Sequence, residues 1–211
     1  KKPSVILVNF MGDLFGDWVD PEMRVVRGVP GVYSVEMSLK QRVFATIRQC
    51  PQHTFLFLTK RPENYKKWGT FPANAWVGAT AWDVESLNTA CHYLALTEAK
   101  NRWLSIEPLL KRIDLTWFKT GKINWLVIGA QTQPTIMPKI EWVKEIVKAA
   151  DKAGVKVWEK DNLKPILGQL KQERPITYIA KVLENWKQET KPKQPVRRTY
   201  DDGNTEGMKV L

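Results

Sequence analysis

The stretch IEWVKEIVKAADKAGVKVWEKDN, residues 140–162, holds one full copy of the pattern on which the fold turns. Val143, Ile146, Val147 and Ala150 recur at the i, i+3, i+4, i+7 spacing of a helix with one apolar face, and Gly154 is a good stop signal. Val155–Trp158 then reads as a buried strand, broken off by Glu159, Lys160, Asp161 and Asn162. Five earlier apolar runs end in the same abrupt way. They are Val5–Val8 into Asn9 and Asp13, Phe55–Leu58 into Thr59, Lys60 and Arg61, and Trp76–Val77 into Thr80. Trp103–Leu104 runs into Ser105 and Glu107, and Leu126–Ile128 into Gly129 and Gln131. Helical spacing separates most neighbours. Parallel strands in βα units converge their carboxyl ends on one face, so the polar terminators are expected at one mouth.

Working outward, strands are expected over Ser4–Phe10, Thr54–Thr59, Ala75–Ala79, Arg102–Ile106, Asn124–Gly129 and Val155–Trp158. Ser38 can cap a helix from Leu39 to about Gln49, with Val43, Phe44 and Ile47 inward. Asp83 or Ser86 can cap another through about Thr97, with Leu87, Ala90, Cys91 and Leu94 at helical spacing. Arg61–Asn64 opens a short helix carrying Tyr65 and Trp68, Lys164–Leu170 is weakly helical, and Ile176–Trp186 is a better helix. Residues 20–38, interrupted by Pro21, Gly28, Pro30 and Gly31, read as loop or broken helix, residues 113–118 as a connector, and the segment after Gly129 as loop to Pro138. From Glu189 the composition turns polar, so residues 1–188 are expected as one domain and 189–211 as an extended tail. Roughly thirty residues per unit allows about six βα units, short of the ~250 residues of a closed eight-stranded barrel. The expected fold is therefore a partial (β/α) TIM-like barrel with mostly parallel strands; a doubly wound open sheet is the competitor.

A formal net charge of +11 makes a nucleic acid or nucleotide a natural partner, although a lysine-rich solvated surface fits equally. Ten Trp residues are enough to fill the space between a sheet and its covering helices, so they do not by themselves imply base stacking. Cys50 and Cys91 stand far apart and without zinc-site spacing, which argues against a disulfide framework and makes the reducing cytoplasm the default compartment. The apolar runs are too short to cross a bilayer. GxGxxG, Walker, HExxH and GxSxG motifs are absent. His53 precedes a strand, at the end opposite the expected mouth, and His92 lies mid-helix, so a histidine-based triad is not expected.

The candidates for chemistry are the terminators themselves. Asp13 and Glu107 can hold an amine, hydroxyl or metal; turn formation and salt bridging are their ordinary alternatives. Thr59, Lys60 and Arg61 can grip a phosphate or carboxylate, or form a solvated loop. Alternation along the last strand aims Lys160 opposite to Glu159 and Asp161, either toward a site or into an internal ion pair.

Several phrases together resemble a phage- and prophage-associated protein family. They are Val8–Phe15, Cys50–Phe55 continuing through Leu58–Pro62, Trp76–Gly78, Leu104–Leu110, Val127–Ala130, and Trp142-Val143 before Ala153–Val155. Full-length members look like radical S-adenosylmethionine (SAM) proteins, with a three-cysteine segment for a [4Fe–4S] cluster ahead of a partial barrel. By that resemblance, Gly12 and Asp13 occupy the loop that holds the methionine amino group. Ser105 and Glu107 lie further round the same mouth, and Lys60 and Arg61 meet the SAM carboxylate or a substrate phosphate. The cysteine-bearing unit has no counterpart here, and neither Cys50 nor Cys91 matches a ligand position. The resemblance thus implies either the C-terminal portion of a longer protein or a divergent member, in both cases inactive in SAM cleavage alone. Catalysis is expected from Glu107 and Lys160, and dimerisation from the open barrel edge. Two other readings stay open: a non-catalytic nucleic-acid-binding module using the basic surface, and a cofactor-free enzyme using Asp13, Glu107 and Lys160.

Overall fold

The computed structural model of the chain describes residues 2–9, 11–26, 36–113, 116 and 122–174. Six strands form one sheet: β1 (Val5–Leu7), β4 (Thr54–Thr59), β5 (Ala75–Ala81), β6 (Asn101–Ile106), β7 (Trp125–Ile128) and β10 (Lys156–Glu159). Every pairing is parallel, and spatial order follows chain order without reversal. A doubly wound sheet needs a point where strand order reverses. None occurs in this sheet, and among the described residues the main helices pack on one side of it. The fold is an open, curled six-stranded parallel sheet wrapped by helices, a partial (β/α) TIM-like barrel.

Helices α1 (Leu39–Arg48), α2 (Val84–Leu96) and α3 (Ile140–Ala153) cover the convex face, and the short α4 spans Lys164–Leu167. Their starts and stops are local chemistry. Ser38 caps α1 in a box with Gln41, and Asp83 caps α2 in a box with Ser86. Gly154 ends α3 at φ 69°, a left-handed conformation that glycine adopts without a Cβ penalty. The main core joins Phe44, Ile47, Leu87, Leu94, Val143 and Ile146 of the helices to Phe57, Val77, Leu104, Leu126 and Val157 of the strands. Each such side chain contributes about 1.5–3 kcal/mol by leaving water.

Several elements differ from the sequence reading. The first strand is Val5–Leu7, shorter than Ser4–Phe10. The stretch read as loop or broken helix contains an antiparallel ribbon, β2 (Arg24–Val26) with β3 (Glu36–Ser38). The loop after β7 holds a small hairpin, β8 (Gln131–Thr132) with β9 (Thr135–Ile136). Both are two or three residues long, too short for a periodic signal, and backbone pairing carries them. The expected helix Ile176–Trp186, the tail and the 188/189 boundary lie outside the described residues, as does most of the connector around Trp117.

The tryptophans are the largest correction. Trp68 packs among the helices, but Trp76, Trp103, Trp125 and Trp158 belong to a second cluster on the other, concave face. Alternation explains this: within β6 and β7, Leu104, Ile106, Leu126 and Ile128 take the convex side, leaving Trp103 and Trp125 to the concave one.

Candidate functional site

Strand register stacks the concave face in rows. Leu7, Leu56 and Trp76 form the first; Leu58, Gly78, Trp103 and Trp125 the second; Thr80, Ser105, Val127 and Trp158 the third. Above them, past the strand ends, Glu107 and Lys160 join in an ion pair across the rim. The result is a cup of about 440 Å³ with an aromatic floor and a polar lip. It runs along the concave face from Val5 and Thr54, at the starts of β1 and β4, to Glu107 and Lys160 past the carboxyl ends, the rim where barrel ligands bind.

Two glycines shape this cup. A Cβ at Gly78 would stand 2.3 Å from the Trp103 ring. The indole therefore crosses β5 at that point, and its Nε1–H donates to the Phe57 carbonyl on β4 at 3.0 Å. A Cβ at Gly129 would come within 3.0 Å of Glu107 Oε1, so Glu107 reaches β10 by lying over the glycine backbone. Trp125 donates its Nε1–H to the Glu173 carbonyl at 3.0 Å. Ser105 is 3% exposed, and its hydroxyl forms no hydrogen bond among the described residues although it lines the cup.

A second cluster occupies the rim beyond β1 and β4. Asp13 Oδ1 accepts the Phe15 N–H at 2.9 Å, and Oδ2 accepts the Thr59 hydroxyl at 2.8 Å and the Lys60 N–H at 3.1 Å. Thr59 Oγ1 in turn accepts the Arg61 N–H. Arg61 lies 3.4 Å from Asp17 and 3.9 Å from Glu63, whereas the exposed Lys60 ammonium makes no ion pair among the described residues. Gly12 closes the turn by donating its N–H to the Asn9 carbonyl. Phe15, buried among Phe57, Tyr65, Trp68 and Phe71, anchors the loop.

The sequence candidates thus form two groups on one rim. Ser105, Glu107 and Lys160 line the cup; Gly12, Asp13, Thr59, Lys60 and Arg61 gather beside it and outside its lining. Trp103, Trp125 and Trp158 went unnoticed as site residues, yet they share strand parity with Ser105, Val127 and Lys160. Arg174 gave no signal. It reaches the cup because residues 171–173 fold back along β10, where Trp158 bridges Gln172, and its guanidinium lies 5.3 Å from the Trp158 ring centroid.

The cysteines do not fit a [4Fe–4S] donor set. Cys50 sits between α1 and the amino end of β4, at the opposite rim, and Cys91 is buried in α2, where desolvation pushes its thiol up to about 12. Among the described residues no group of three or more His, Cys, Asp or Glu could hold a metal, and no helix is long and apolar enough to cross a membrane.

Residues 31–195 match the model of a family described as "Protein of unknown function (DUF5131)". No curated protein and no solved structure matches the chain.

Proposed function

The chain belongs to the DUF5131 family, and we propose that it is the C-terminal, ligand-holding portion of a radical-SAM-like protein of phage or prophage type. The observation that carries this is the one-sided cup: among the described residues the helices cover the convex face, and six strand ends deliver their polar terminators to one rim. Reductive cleavage of the SAM sulfonium is the chemistry that cofactor supplies beside a cluster, and this chain's cysteines hold none. Its own residues bind and orient. Lys60, free of ion pairs among the described residues, meets the SAM carboxylate, while the Asp13 carboxylate, already fixed by three donors, turns its remaining lone pairs to the amino group. Ser105, Glu107 and Lys160 face the substrate in the cup. There the Glu107–Lys160 pair can accept and return a proton at the rim.

Calorimetric titration of SAM into the chain tests the rim. Saturable binding is expected, weakened about tenfold in Lys60→Met, the loss of one charge-assisted contact. Absence of binding, or an unchanged Lys60→Met, overturns the assignment. In the intact protein, Glu107→Gln and Lys160→Met should reduce turnover with SAM affinity retained.

A second reading draws on the charge. Lys144, Lys148 and Lys152 recur at i, i+4 on the exposed side of α3, within a chain of net charge +11. A nucleic-acid-binding module of this kind would lose oligonucleotide affinity steeply as salt rises. Salt-insensitive or absent binding excludes it.

A further inference from the structure

Among the described residues three charged side chains line the cup: Glu107, Lys160 and Arg174. Glu107 and Lys160 neutralise each other. Arg174 makes no ion pair among the described residues. Its neighbour Glu173 accepts the Val157 N–H and pairs with Lys156 and Lys171. Among the described residues the cup therefore carries one unbalanced positive charge.

That charge is held in place. Arg174 makes a cation–π contact with the Trp158 ring, and a guanidinium placed so offers its N–H fork to a bidentate oxyanion. Across from it, the floor is apolar and aromatic, built from Leu58, Trp103, Trp125 and Val127. Within this surface Ser105 is 3% exposed, and its hydroxyl has no hydrogen-bond partner among the described residues. A hydroxyl on the wall of a cup is free to bond a ligand or a water.

From these we infer that the cup binds a flat aromatic oxyanion, a carboxylate or phosphate. Its ring lies against the tryptophan floor, its anionic group meets Arg174, and a polar ring-edge atom meets Ser105. A volume of about 440 Å³ admits a bicyclic ring with its substituent. The inference rests on the cup being the substrate site and does not involve SAM at the rim.

Isothermal titration with indole-3-carboxylate, indoxyl phosphate and the neutral indole-3-carboxamide provides the test, using the full chain. One saturable site is expected, with at least one of the two anions bound about tenfold or more tighter than the carboxamide; the tighter anion identifies the natural headgroup. Arg174→Met should reduce that anion to the carboxamide's level and leave the carboxamide unchanged. Arg174→Lys should restore part of the difference. Equal binding of the amide and both anions overturns the inference, as does an anion preference that survives Arg174→Met. So does a parallel loss of all three probes in Arg174→Met, which would mark Arg174 as a mere buttress for Trp158. If no probe binds wild type, the cup fails as a substrate site and the inference falls with it. The SAM titration remains a separate readout of the rim.

Discussion

A methyl group at Gly78 has nowhere to go, because the Trp103 indole occupies its place. Either the indole leaves its hydrogen bond to the Phe57 carbonyl, or β5 moves away from β6. Gly78→Ala should therefore cost about 1–3 kcal/mol in urea denaturation, the range for overpacking a core; an unchanged midpoint would mean that the cup floor is loose. Asp13 makes the complementary case, with one carboxylate tying the loop after β1 to the end of β4 through three donors. Asp13→Ala leaves those donors to water and should cost about 1–3 kcal/mol by the same measurement. At this scale the polar half of the site was legible in the sequence: Ser105, Glu107 and Lys160 were marked by their positions at strand ends. The aromatic half was hidden, since a run buried on both faces has no polar alternation to tell one face from the other. Arg174 was hidden for another reason, lying in a segment placed by tertiary pairing alone.

The segment that carries Arg174 also closes one edge of the sheet. Glu159 N–H donates to the Lys171 carbonyl, Glu173 N–H to the Val157 carbonyl, and the Glu173 side chain accepts the Val157 N–H. Partial burial opposes ionisation of Glu173. The Val157 N–H, Lys156 and Lys171 outweigh it and hold the carboxyl below its ordinary 4.5. A carboxyl depressed in this way stabilises the fold above its unfolded pKa, and that contribution is lost as pH falls through the folded value. Glu173→Gln should thus cost about 1 kcal/mol near neutrality, with the gap to wild type closing as pH drops below 4.5. Thermal melts across that range would show it, and a gap that persists in acid would place the effect in packing. Among the elements, α1, α2 and α3 were readable because caps, stops and apolar faces agree. The ribbons β2–β3 and β8–β9 were not, since so few residues hold no period.

At the scale of the whole molecule, the two sides of the sheet end differently. Beyond β10 the fold-back segment supplies partners, but among the described residues β1 has only β4 beside it. Both faces next to β1 are apolar. Val5 and Leu7 line the cup yet stay 39% and 49% exposed. On the convex side, a groove of about 380 Å³ runs between β1 and α1, past Ile6, Val8, Val43 and Ile47. A strand edge with unpaired backbone groups and apolar flanks favours pairing with another strand. A second copy can meet it about a two-fold axis, β1 against β1. Self-association through this edge is the expected outcome, seen as a mass rising toward the dimer with concentration in sedimentation velocity. Leu7→Lys places a charge from each copy within that contact and should return the chain to monomer with its fold intact by circular dichroism. A wild-type mass that stays monomeric at the highest concentration reached, or a dimer that survives Leu7→Lys, would exclude β1 as the contact. It would also leave the cup open along that side, reachable by ligand between β1 and Arg174 as well as from the rim.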